Sequence, residues 1–247
     1  MSDSLHDRRW PDQTAEFLAN EATRPTSVTA MRGGEESVAS EATPPRFGRY
    51  VLLEQLGSDG TAEVYRALHA RLHKQVTLKR LPPERANDRQ ARARFEREMR
   101  LLSQLAHPNI VRLENAGELD GQPFMVTEYV DGIDLDTLIT RVGPLRSEDA
   151  CQLVGQAALG LAHLAEHGFV HRDTRPSSLI LSSSGALKIA DFSAAQSAED
   201  DCDFPIGMKA LGRTLLTLLS GNSSFDGAEA GALPECCDRP LPPSRRR

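Results

Sequence analysis

Apolar positions recur with two different periods along the middle of the chain, and the order of those periods predicts its elements. Aliphatic and β-branched runs bounded by turn residues predict strands over residues 50–56, 63–67 and 74–80. The first two are joined by the short Gly57 to Ala62 loop, which makes a hairpin whose backbone amides can approach an anion. Residues 88–105 then change to a helical period, with Phe95, Leu102 and Leu105 on one side. His107-Pro108-Asn109 stops that helix, and two further strands are predicted over 112–117 and 124–130, split by the Asp120-Gly121 turn. Asp131-Gly132-Ile133-Asp134-Leu135 is expected to begin a helix, with Asp131 as its cap. A long helix is predicted over 147–166, with Ser147-Glu148-Asp149 at its start and Val154, Ala158, Leu161 and Ala165 at the helical spacing. Leu187 to Ala190 reads as a strand, and Ala210 to Leu219 as a buried helix with Leu211, Leu215, Leu218 and Leu219 in one stripe.

Three places break this pattern with charge. Glu98 falls on the apolar stripe of its helix, three residues after Phe95 and four before Leu102, instead of on the arginine-rich outer face. A carboxylate there requires a buried cation. Lys79, on the same strand face as Thr77, is the candidate partner. The second break is His171-Arg172-Asp173, set between the apolar runs that end at Val170 and resume at Leu179. The third is Asp191, directly after a strand. Ionisable groups among buried strands need partners or a chemical role.

Composition narrows the class. The 247 residues carry a formal charge of −6 and no long basic stripe, which argues against a nucleic-acid partner. No apolar run reaches membrane-spanning length, and the N-terminus lacks a signal-peptide core. Cys151, Cys202, Cys236 and Cys237 form no CxxC or disulfide framework, so a cytoplasmic location is expected. Residues 1–46 and 222–247 are rich in Ser, Pro, Gly and charge, and are expected to be disordered tails around a folded unit at 47–221. Trp10, Phe17 and Leu18 could form a short docking element in the first tail, or be incidental.

Taken in order, these motifs resemble the protein kinase superfamily, in particular bacterial Ser/Thr kinases. His171-Arg172-Asp173 and Asp191-Phe192 match its catalytic and metal-binding loops, and Val76-Thr77-Leu78-Lys79 its V-A-I-K strand. The resemblance implies an α+β, two-lobe fold, with a small β-rich lobe at about 47–130 and a shortened helical lobe at about 131–221. It also implies a site for ATP and Mg²⁺. Gly57 and Val64 would cover the phosphates, Lys79 held by Glu98 would bind them, and Thr127 would gate the adenine. The backbone of Glu128 and Val130 would form the hinge, where side-chain identity is expected to matter little. Asp173 would be the catalytic base with Arg175 as a phosphate cation, and Asp191 and Ser178 would be the metal ligands.

The chain departs from that pattern at several of these places. Asp59 replaces the second loop glycine, Ala62 the third, Arg175 a lysine, Ser178 the asparagine on the second metal, and Ser193 the glycine after Phe192. Only nineteen residues separate Asp191 from Leu211, too few for an activation loop and a peptide-docking platform. Gly207 stands where the family has an acid. The acidic run Glu199 to Asp203 is expected to pair with Arg172 or to be a solvated loop. The expected function is therefore a nucleotide-binding pseudokinase or severely impaired kinase that acts by docking a protein partner. The alternative is a weak but active Ser/Thr kinase acting on a protein substrate. A remote alternative comes from His163, Glu166 and His167, which match H-x-x-E-H and could serve a zinc hydrolase.

Overall fold

The computed structural model describes residues 44–58, 61–197 and 204–222, the side chains of residues 204–206 excepted. Trp10, Phe17, Leu18, Asp59 and the acidic run Glu199 to Asp203 lie outside the described residues. So do the expected tails, apart from residues 44–46 and Asn222.

The alternating runs of the first half close into one antiparallel sheet of six strands in the order β1-β2-β3-β4-β6-β5. These are β1 (Arg46–Phe47), β2 (Tyr50–Ser58), β3 (Glu63–His69), β4 (Lys74–Arg80), β5 (Leu113–Leu119) and β6 (Gln122–Glu128). One face buries Phe47, Tyr50, Leu52, Val76, Leu78 and Val126 in a small core of its own. Between β4 and β5 lie a short helix, α1 (Pro83–Ala86), and α2 (Arg89–Leu102). Asp88 caps α2 by accepting from the amides of Gln90 and Ala91. The helix stops at Leu102, three residues before the expected end, but Leu105 still enters the larger core beside Phe95 and Leu102.

The second half is mostly helical. It contains α3 (Leu135–Val142), α4 (Ser147–Glu166) and α5 (Phe204–Ser220), with five short strands: β7 (Gly132–Asp134), β8 (Phe169–His171), β9 (Leu179–Ser182), β10 (Leu187–Ile189) and β11 (Ala195–Ser197). The cap of α3 is Asp134, not Asp131 as expected; its carboxylate accepts from the Thr137 amide and hydroxyl. Asp131 is displaced because Gly132 to Asp134 instead pair with β9. That pairing requires glycine at 132, since a Cβ there would stand 2.1 Å from the Leu181 carbonyl oxygen. Ser147 does not cap α4 either: Arg146 holds the cap position, without a side-chain hydrogen bond.

The two halves are stitched by residues 109–111. The Val111 amide donates to the Ile189 carbonyl at 3.0 Å, the Ile189 amide to the Asn109 carbonyl at 2.9 Å, and the Asn109 side chain to the Leu187 carbonyl at 2.8 Å. β10 is thereby tied to the first half two residues before Asp191. Buried polar groups are satisfied at the join, so the strand carrying that acid has a defined place.

Candidate functional site

A cavity of about 570 Å³ opens between the halves, within the size range of small-molecule sites. Gly57, Val64, Lys79, Glu98, Glu128, Val130, Arg175, Ser178 and Asp191 all line it. Residues from both ends of the chain's folded middle thus meet on one space. Asp173, also predicted as a site residue, is not on the lining. Gly57 pairs with Val64 across the hairpin, and nothing stands within 4 Å of where its Cβ would be, so the roof leaves room above the cavity.

The electrostatic centre is Lys79. β4 places it opposite Val64 on one side and Met125 on the other, and α2 brings Glu98 to it. Lys79 Nζ lies 3.0 and 2.9 Å from the two Glu98 carboxylate oxygens and 3.8 Å from Asp191 Oδ1. Glu98 is buried, and Lys79 nearly so. The placement of Glu98 on the apolar stripe is explained: the helix buries it so that it can hold this cation.

Asp191 is set by its neighbours. Its Oδ1 accepts from the Ser193 amide at 3.0 Å, and its backbone carbonyl accepts from His171 Nε2. Phe192 is fully buried and meets the His171 ring edge-on at 5.3 Å. Burial pushes His171 below the usual imidazole range, outweighing the Asp191 carbonyl that favours its charged form. The neutral ring then has its proton on Nε2, facing Asp191. β11 pairs with β8, Ala195 opposite His171, and pins the chain just past this point.

The half of the site around Asp173 is arranged differently. Arg175 Nε lies 3.2 Å from Asp173 Oδ2, and both side chains are about half exposed. Ser178 is buried, and its hydroxyl donates to the Arg175 carbonyl at 2.7 Å. The Ser178 carbonyl accepts from the Ala190 amide, next to Asp191.

Three groups have roles that the chain's pattern does not disclose. The Glu128 side chain is expected to matter little, yet its Oε1 accepts from Lys188 Nζ at 2.8 Å and from the Arg112 amide at 2.9 Å. Burial alone would raise this carboxyl; the Lys188 ammonium and Arg112 outweigh it and hold it below the usual carboxylate range. The strand residue Lys188 sits 60 positions away in the chain. Thr174 and Thr214, both buried, form the second group: Thr214 Oγ1 donates to the Thr174 carbonyl. The third is a histidine cluster, in which His163 stacks on His107 at 5.1 Å and lies 4.4 Å from the His167 ring. His163 Nδ1 is 3.7 Å from Glu166, and His167 Nδ1 donates to the His163 carbonyl. Among the described residues no group of three or more His, Cys, Asp or Glu side chains is arranged to hold a metal ion.

Comparison with known proteins agrees with this geometry. The family model for the protein kinase domain matches residues 50–229. The probable serine/threonine-protein kinase PknB of Lactococcus lactis is 31% identical over 212 residues, which cover 75% of this chain and 34% of that one. The serine/threonine-protein kinase PrkC of Bacillus subtilis is 33% identical over 207 residues, covering 74% and 32%. The chain thus spans only about a third of the length of these curated relatives. Among solved structures, the PknI kinase domain of Mycobacterium tuberculosis aligns with a TM-score of 0.63 at 30% identity, covering 76% of this chain and 80% of that one. No helix among the described residues is long and apolar enough to cross a membrane.

Proposed function

The chain belongs to the protein kinase domain family, and from that premise we propose that residues 47–221 bind Mg·ATP but transfer its phosphate poorly, working mainly by docking a protein partner. The observation that carries this reading is the contrast inside one site. Lys79, Glu98 and Asp191 stand assembled on the cavity wall, with both acids within 4 Å of the lysine. Asp173 is occupied by Arg175, and the Ser178 hydroxyl is directed to a backbone carbonyl.

The residues suit the nucleotide. The cavity accommodates a ligand of that size, Lys79 offers a cation to phosphates, and the hinge segment Glu128 to Val130 lines the far wall. Mg²⁺ is commonly bound through one or two carboxylates plus substrate phosphates, and Asp191 is such a carboxylate. Bound there, the ion would neutralise phosphate charge. Ser178 would be a weak second ligand, because a neutral hydroxyl on a short arm is a poorer oxygen donor to Mg²⁺ than a carboxylate or carbonyl oxygen. At the transfer end, a substrate hydroxyl must compete with the Arg175 guanidinium for Asp173. The short interval between Asp191 and Leu211 leaves little chain for a peptide platform.

The second reading, a weak Ser/Thr kinase, is favoured by one observation: Arg175 lines the cavity while contacting Asp173, so a phosphate could draw it off the base. Thermal shift with Mg·ATP, followed by incubation with labelled ATP and a generic basic protein, separates the two. The expected result is stabilisation with little incorporation. Robust incorporation that disappears in Asp173→Asn would establish the second reading instead. No stabilisation by nucleotide would leave a pure interaction fold.

A further inference from the structure

The buried threonine pair adjoins the site without lining the cavity. Thr174, Thr214 and His171 are each no more than 2% exposed. They connect in series. Thr214, on α5, donates its hydroxyl to the Thr174 carbonyl in the loop after β8. The Thr174 hydroxyl lies 3.4 Å from His171 Nδ1, and His171 Nε2 meets the Asp191 carbonyl. One direction is forced by chemistry. A carbonyl only accepts, so Nε2 carries a proton toward Asp191, and the Thr174 hydroxyl meets the other ring nitrogen, Nδ1.

The same helix supplies an internal control. A helical threonine ordinarily returns its hydroxyl to the carbonyl one turn back. Thr217 does this, donating to Arg213 at 3.0 Å. Thr214 instead reaches out of its helix to another segment 40 residues away. Close by on α5, Gly207 lies against the His171 carbonyl, with 3.4 Å between that oxygen and a Cβ built at 207, and offers no side chain to the loop. Thr214 therefore carries a polar tie between α5 and this loop.

We infer that Thr174 and Thr214 are positioning residues: they anchor the loop bearing Asp173 to α5 and, through His171, set the backbone of Asp191. This rests on the nucleotide-site reading only for its effect on Mg·ATP. The anchoring itself does not depend on it. Thr214→Val replaces the hydroxyl with a methyl of the same shape and leaves the Thr174 carbonyl without its donor. Thr214→Ser keeps the donor.

The test uses the full chain and two measurements. Amide exchange should accelerate by about fivefold at residues 171–175 and 191–193 in Thr214→Val, the equivalent of one lost hydrogen bond. Exchange there should return to the wild-type rate in Thr214→Ser and be unaffected in Thr217→Val. The second measurement is ATP affinity with and without Mg²⁺ by calorimetry. The Mg²⁺-dependent gain should shrink by about the same factor in Thr214→Val, with metal-free affinity unchanged. Thr174→Val, which retains the carbonyl but loses the hydroxyl facing His171, should affect residues 191–193 more than 171–175 and covers the case in which Thr214→Val does not fold. If Thr214→Val and Thr217→Val change exchange equally, or only globally, the anchoring role is wrong. If wild type shows no ATP binding, the nucleotide reading fails, and the exchange pattern still decides the anchor.

Discussion

Two ion pairs define the site, and they differ most in burial. Lys79 and Glu98 keep 12% and 5% of their side-chain surface exposed; Arg175 and Asp173 keep 60% and 47%. A buried pair is hard to change, because removing one member strands the other in a poor solvent. An exposed pair is screened by water and salt, and its loss is cheap. The Lys79 half of this site is thus built into the core of the fold, whereas the Asp173 half sits at its surface.

The largest test of that contrast is Lys79→Met. It should destabilise the fold by about 3–5 kcal/mol in urea denaturation, since Glu98 stays buried and loses this cation. Glu98→Gln should cost less, because Asp191 lies 3.8 Å from the stranded Lys79. Replacing both by apolar residues, Lys79→Met with Glu98→Leu, should recover most of the loss. A neutral Lys79→Met would show that the buried pair does not anchor the fold.

Next in size is the Glu128 clasp. Glu128→Ala removes the acceptor of both Lys188 and the Arg112 amide and should cost about 1–3 kcal/mol. Its pH behaviour has a definite sign. The folded carboxyl is held below its ordinary value of 4.5, so its stabilisation is present above that value and is lost as pH falls through the folded one. Glu128→Gln should flatten the acid limb of a stability–pH curve; an unchanged limb would show that Lys188 does not hold the acid.

His107 should give a smaller effect in a different window. Burial, and then the neighbouring His163, lower its pKa from 6.5. The unfolded chain then binds its proton first, so stability present above pH 6.5 declines as pH falls below it. His107→Asn should remove that part of the slope while retaining an acceptor for the Asn109 amide, now 3.1 Å from His107 Nδ1. The smallest effect belongs to the exposed pair: Arg175→Ala should change stability by no more than about 1 kcal/mol, and less in high salt. A larger loss would mean the Asp173 half is not peripheral to the fold.

Much of this site is legible in the order of residues alone. Glu98 interrupts an apolar stripe, and such an interruption has few physical explanations; one buried cation is the economical one, and Lys79 provides it. Phe192 and Asp191 are legible for a related reason, as an acid and a ring directly after a buried strand. The α3 cap is not, because Asp131 and Asp134 are equally good cap residues. The choice between them rests on β7 pairing with β9, a contact nearly fifty residues distant. The Glu128 clasp is equally hidden, because nothing local distinguishes Lys188 from a solvated lysine.

By itself the sequence determined the order of strands and helices, the charged residues that break their apolar faces, and the shortness of the segment between Asp191 and α5. These follow from local period and from the cost of burying charge, which act within one element. The tertiary structure decided which partners those charges and hydroxyls take. Lys188 reaches Glu128, and Thr214 turns away from its own helix to Thr174, because packing fixes which acceptor each donor can reach. A donor's chemistry is written in its residue; the acceptor it meets depends on the fold.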